Sequence, residues 1–174
     1  LSRIRQNIFL VGLMGAGKST IGKRLAESLG KEFLDSDHEI EARTGVSIPT
    51  IFDIEGESGF RNRESNVIDE LSQSKDIVLA TGGGAILRPE NRSHLAARGL
   101  VIYLCATAEQ LHKRTRHDRN RPLLQNKDPL STLQALLDER DPLYREVADL
   151  VVETDDRSVQ QAIPELIEKI EKLA

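Results

Sequence analysis

A three-layer α/β fold, in which a parallel β-sheet is covered by helices on both faces, is the architecture this sequence predicts, on three observations. Apolar runs recur at positions 8–11, 33–34, 77–80, 100–104 and 150–152, unbroken by polar residues, as strands buried on both faces are. The segments between them carry helical periodicity, and that alternation builds a parallel sheet. Between the first run and the first helix stands Gly12-Leu13-Met14-Gly15-Ala16-Gly17-Lys18-Ser19, the pattern G-x-x-x-x-G-K-S in its required strand-loop-helix setting.

That loop fixes the first chemistry. Glycines let it curl so that backbone N–H groups point inward, and the opening turn of the helix adds unpaired donors and a positive dipole end. A polyphosphate is the guest such a cradle suits. Gly15, Ala16 and Gly17 line it, Lys18 reaches the β and γ phosphates, Ser19 ligates Mg²⁺ and Thr20 adds a phosphate contact. The helix carries Ile21, Leu25 and Leu29 on one face and stops at Gly30.

Phosphoryl transfer further requires a carboxylate near the metal, a group to orient the attacking hydroxyl and cations for the moving charge. The run at 77–80 ends in Thr81-Gly82-Gly83-Gly84 and offers no acid, whereas the run at 33–34 leads into Asp35-Ser36-Asp37. Strand carboxyl ends are where ligands of open α/β sheets bind. Asp35 is therefore expected to hold a metal-bound water and Asp37 to face the acceptor hydroxyl, with a simple helix-capping role for Asp37 as the alternative. Gly82, Gly83 and Gly84 either let a ligand approach the backbone closely or form a plain tight turn.

Helix starts are expected at Ser36-x-x-Glu39, Thr107-x-x-Gln110, Ser131-x-x-Gln134 and Ser158-x-x-Gln161, all with capping-box spacing. The last helix buries Ile163, Leu166, Ile167 and Ile170, and Pro164 leaves open a kink or a later start. Residues 45–73 are too long for a simple crossover and predict a substrate-binding insertion, broken by Pro49, Gly56 and Gly59 into short helical pieces before a longer helix. Residues 113–128 are polar and rich in cations (Lys113, Arg114, Arg116, Arg119 and Arg121), which suits a mobile lid closing on a polyphosphate, or else a solvated charge run. Arg61, Arg63 and Arg140 are candidates to grip a carboxylate through paired hydrogen bonds; a solvated helix face is the alternative for each.

With 174 residues and 39% apolar content the chain suits one compact domain spanning 1–174. A net charge of −4 offers no field for nucleic acid or an anionic membrane, and neither a leader nor an 18-residue apolar stretch indicates export or spanning. Cys105, the single cysteine, excludes an intrachain disulfide, reads as a buried inert thiol and fits a reducing cytoplasm. The four histidines show no ligand spacing, and without Trp an arginine face is the better support for adenine. From the residues alone the acceptor is a hydroxyl compound bearing an anionic group, with gluconate, a nucleoside monophosphate or a non-catalytic ATP-binding switch as alternatives.

The chain resembles the shikimate kinases, P-loop kinases of the aromatic amino-acid pathway. The resemblance rests on residues 12–20, Leu34-Asp35-Ser36-Asp37, Phe60-Arg61, Thr81-Gly82-Gly83-Gly84, Arg121-Pro122-Leu123-Leu124, and Arg140 with Pro142-Leu143-Tyr144. It implies a five-stranded sheet of the nucleoside-monophosphate-kinase type, ATP and Mg²⁺, and transfer of the γ-phosphate to the 3-hydroxyl of shikimate. By matching position it gives Arg61, Arg140 and Gly83 to shikimate, the two arginines to its carboxylate, and Asp37 to the ring hydroxyls and deprotonation. It implies further that Arg121 is the lid arginine on ATP, that Arg114 stacks on adenine and that Arg157 lies beside it. A cytoplasmic monomer is expected.

Overall fold

The computed structural model of the protein describes residues 4–117, 128–154 and 158–173. Five strands, β1 (Asn7–Val11), β2 (Glu32–Asp35), β3 (Ile77–Ala80), β4 (Gly99–Cys105) and β5 (Leu150–Glu153), form one sheet in the order β2-β3-β1-β4-β5. Every pairing is parallel, with Ile8 opposite both Val78 and Leu100 at the centre. The five apolar runs are therefore the five strands, each lengthened by at most one residue at either end.

Alternation along the central strands divides the core. Ile8, Leu10, Ile102 and Leu104 meet Leu25 and Leu29 of α1 (Lys18–Leu29) and Leu166 and Ile170 of α7 (Val159–Leu173). Phe9, Val11, Val101 and Tyr103 face the other way, onto Ile68 of α3 (Ile48–Leu71), Leu95 of α4 (Pro89–Arg98) and Tyr144 of α6 (Pro129–Val147). Burying each such side chain contributes about 1.5–3 kcal/mol, which is what holds the two helical layers to the sheet. No described helix is long and apolar enough to cross a membrane.

The helix starts are more varied than their spacing suggests. Thr107 and Gln110 form the reciprocal capping box at the head of α5 (Ala108–Thr115), and Ser158 Oγ accepts from the Gln161 N–H at the head of α7. Pro164 lies inside α7, five residues past its start. Ser36 and Ser131, in contrast, are not caps. Asp35 caps α2 (Ser36–Thr44), because it has the extended backbone of an N-cap (φ −128°, ψ 121°) and its carboxylate accepts from the N–H groups of Asp37 and His38. Asp128 caps α6, accepting from the Ser131 N–H, with Pro129 in the first turn.

In the 45–73 insertion, α2 stops at Gly45 and Ser47 caps α3. The expected breaks shrink to one. Pro49 stands in the opening turn of α3, where a missing N–H costs nothing, and Gly59 stays helical; only Gly56, at φ 72° and ψ 178°, interrupts the helix.

Candidate active site

The phosphate loop leaves the carboxyl end of β1, mid-sheet. Gly17, the N-cap of α1, takes φ 95° and ψ 17°, a left-handed conformation that favours glycine, and brings no side chain to the first-turn N–H groups. Those donors are left facing the loop mouth. Lys18 arches over the loop, its Nζ donating to the carbonyls of Gly12 at 2.5 Å and Leu13 at 3.0 Å. Beside it Ser19 Oγ donates to Asp35 Oδ2 at 2.7 Å, so a hydroxyl and a carboxylate, the hard oxygen donors Mg²⁺ prefers, stand together at the mouth. Asp35 is thus shared: Oδ1 caps α2 and Oδ2 meets the loop. With capping taken by Asp35, the alternative role for Asp37 falls away.

A cleft of about 800 Å³ joins these groups, lined among others by Lys18, Ser19, Asp35, Asp37, Gly82 and Gly83, and by Gly15, Gly17 and Thr20. Its far wall is the turn after β3. The Gly82 N–H donates to Ser36 Oγ, which ties the turn to α2, and the Tyr144 hydroxyl donates to the Gly83 carbonyl, which ties it to α6. Close approach explains Gly82 and Gly84. A Cβ on Gly82 would lie 2.7 Å from Asp37 Oδ1 and 2.8 Å from Glu64 Oε2, and one on Gly84 would lie 2.5 Å from Arg61 Cζ. One on Gly83 would stand 3.5 Å from Arg140 Nη1.

Arg61 and Arg140, from α3 and α6, therefore converge on this turn and are buried there, 8% and 3% exposed. Arg61 Nη1 donates to Glu64 Oε1 at 2.9 Å and Nη2 reaches Glu57 at 3.4 Å. Arg61 Nε and Arg140 Nε and Nη1 are buried without a hydrogen-bond partner in the protein. Buried guanidinium donors left unpaired are expensive unless an anion completes them. Burial pushes the Glu64 carboxyl up to about 7, Arg61 pulling it down and Asp37 pushing it up. The cleft thus has a phosphate cradle at one end and carboxylates in the middle, and against the glycine turn of its far wall lie buried guanidinium donors suited to an anion.

A sequence profile described as shikimate kinase matches residues 14–171 of the chain. The shikimate kinase of Thiobacillus denitrificans is 63% identical over 155 residues, covering 89% of this chain and 85% of its own. That of Chromobacterium violaceum is 56% identical over 170 residues, covering 98% and 92%. The chain belongs to the shikimate kinase family. Among solved structures, the shikimate kinase of Acinetobacter baumannii in complex with shikimate superposes with a TM-score of 0.95 at 52% identity, over 97% of this chain and 94% of that one. As a member of the shikimate kinase family, the protein is an ATP-dependent P-loop kinase.

The remaining candidate residues fall as follows. Arg114 donates to the Gly15 carbonyl at 3.2 Å and to Thr154 Oγ1 at 3.1 Å, roofing a smaller cavity of about 290 Å³ beside the loop, lined by Ala16, Ile21, Val152 and Val159. Arg63 is not drawn in: its guanidinium is held outside by Glu55 at 2.6 and 2.9 Å. Arg121, most of the 113–128 segment and Arg157 lie outside the described residues. Sequence reasoning assigns no role to Glu64 or Tyr144 and reads Ser36 only as a cap. The signal for the first two is helical spacing, since Arg61 with Glu64 and Arg140 with Tyr144 stand three and four residues apart on one helix face.

Proposed function

We propose that this chain transfers the γ-phosphoryl group of ATP to the 3-hydroxyl of shikimate, giving shikimate 3-phosphate and ADP in the pathway to chorismate and the aromatic amino acids. One observation carries the acceptor: unpaired buried donors of Arg61 and Arg140 lie against the glycine turn, across a shared cleft from Lys18 and beside Asp37. A compact carboxylate completes those donors, and a ring hydroxyl carried on the same molecule reaches Asp37.

Each residue takes a role in this reading. The Gly15–Thr20 backbone and the α1 N-terminus hold the β and γ phosphates, and Lys18 swings from the loop carbonyls to the transferred group as its charge spreads. Ser19 and Asp35 would hold Mg²⁺, Ser19 directly and Asp35 through water; the ion would supply charge neutralisation for the transferred phosphoryl group. Asp37 orients the 3-hydroxyl and takes its proton. Gly82, Gly83 and Gly84 keep the turn thin enough for the acceptor to lie against it. Adenine sits in the cavity under Arg114, and the family resemblance assigns Arg157 to the adenine side and Arg121 to the phosphates as the lid arginine. A monomeric, single-domain enzyme in the cytoplasm completes this reading.

The test is ADP release measured in parallel with shikimate, gluconate and AMP as acceptors. Turnover with shikimate alone is expected. Turnover only with gluconate or AMP, or ATP binding without acceptor-dependent ADP, would overturn the reading.

A further inference from the structure

Glu64 is the most enclosed acid of the cleft wall, 1% exposed, and nothing above gives it more than a bond to Arg61. The charged groups that face it are Arg61 from its own helix, Asp37 from α2 and Arg140 from α6, with the Tyr144 hydroxyl of α6 also near; Glu57, half-exposed, reaches only the outer nitrogen of Arg61. When all are ionised, two guanidinium charges balance two carboxylates, and the buried cluster is neutral. Adding the carboxylate of an acceptor makes three negative charges against two positive ones around Glu64, which is itself 1% exposed, and an uncompensated charge is costly beside so buried a carboxylate.

One carboxylate must then be neutralised. Asp37 needs its charge to accept the hydroxyl proton. The acceptor carboxylate gains the guanidinium donors. Glu64 keeps one oxygen, Oε2, without a hydrogen-bond partner, aimed at the same point above Gly82 as Asp37 Oδ1. We infer that Glu64 is a further residue of the acceptor site, one that takes a proton from solvent when the acceptor carboxylate docks on Arg61 and Arg140 and returns it when the phosphorylated product leaves. The proton joins Oε2; no other bond changes. Neutral Glu64 also weakens its hold on Arg61 Nη1, which leaves more of the guanidinium for the acceptor. Burial, with Asp37 adding to it and the two arginines opposing it, already brings this carboxyl up to about 7, so a modest added negative charge is enough to protonate it at neutral pH.

This rests on the shikimate reading above, and calorimetry separates the two. Shikimate is titrated into the enzyme without nucleotide at pH 8, in buffers of low and high ionisation enthalpy. The expected result is uptake of about half a proton or more per shikimate bound, with an affinity that falls about tenfold per pH unit above pH 7. Glu64→Gln keeps an acceptor for Arg61 Nη1 and is expected to bind shikimate with no buffer-dependent heat and a flat pH profile. His38→Asn, at the histidine lining the same cleft, is expected to keep the wild-type slope. Shikimate binding whose heat is independent of buffer overturns the inference and leaves the acceptor assignment standing, and needs no variant to fold. Uptake that persists in Glu64→Gln overturns it also. An absence of shikimate binding removes the acceptor assignment and this inference together.

Discussion

The guanidinium of Arg61 packs directly on the Cα of Gly84, so closely that a Cβ there would lie 2.5 Å from both Cζ and Nη1. Gly84 has φ −95° and ψ 7°, open to other residues, so glycine is required for room and not for backbone freedom. Gly84→Ala should push the guanidinium off Glu64 and out of line with the acceptor. The expected outcome is a shikimate KM raised about tenfold to a hundredfold, about 1.4–2.8 kcal/mol, with the ATP KM unchanged. Steady-state kinetics with each substrate varied in turn decides it, and equal changes in both would contradict the placement.

Arg140→Ala removes the more deeply buried guanidinium. Truncating one partner of a buried charge pair costs about 2–5 kcal/mol, so shikimate affinity should drop by about tens to thousands of fold while ATP affinity barely moves. Separate calorimetric titrations of the two ligands measure this. Loss of ATP binding to the same extent would count against the role.

Asp37→Asn keeps the shape of the side chain and removes its capacity to take a proton. A kcat lower by about 10²- to 10⁴-fold with little change in KM is expected. An unaltered kcat sinks the assignment.

Asp35 serves two ends, and two substitutions separate them. Asp35→Ala removes the cap of α2 and should cost about 1 kcal/mol, or roughly 2–4 °C in Tm. Asn caps as well as Asp does, so Asp35→Asn should keep Tm yet raise the Mg²⁺ concentration needed for half-maximal rate. Thermal melts beside a Mg²⁺ titration test both, and an unchanged Mg²⁺ requirement in Asp35→Asn would remove the metal role.

The buried Glu64 carboxyl also leaves a mark on stability. Its folded value of about 7 stands above the ordinary 4.5, so the native state holds an extra proton between those values. The resulting stabilisation is complete below about pH 4.5 and is lost as pH rises through about 7. Glu64→Gln has no such loss, and its Tm minus that of the wild type should grow more positive from pH 5 to pH 8. A constant difference in melts across that range would contradict the burial argument.

The strands were legible because both faces of a parallel sheet are buried, which leaves unbroken apolar runs such as 77–80 with no polar residue to confuse their edges. Helix starts were less so. Ser36 and Ser131 have the right spacing, but the cap is the residue that stands outside the helix with a carboxylate reaching a first-turn N–H, and at both places an aspartate upstream does so. Within the cleft, the loop, Asp35, Asp37 and the glycine turn could be found from residue type at strand ends. That Arg61 and not Arg63 turns inward depends on which face of α3 meets the sheet, and Glu55 holding Arg63 outside is a contact across the break at Gly56. Tyr144 and Ser36 act through single bonds to backbone atoms far away in sequence, at Gly83 and Gly82, for which residue type carries no signal.

The central claim is that Arg61 and Arg140 bind the acceptor carboxylate while Asp37 receives its hydroxyl. A crystal structure of this chain with shikimate measures that directly. The carboxylate is expected against both guanidinium groups, with the 3-hydroxyl about 2.6–3.2 Å from an Asp37 oxygen and turned toward Lys18. A shikimate whose carboxylate lies on the phosphate loop, or whose 3-hydroxyl points away from Asp37, would contradict it.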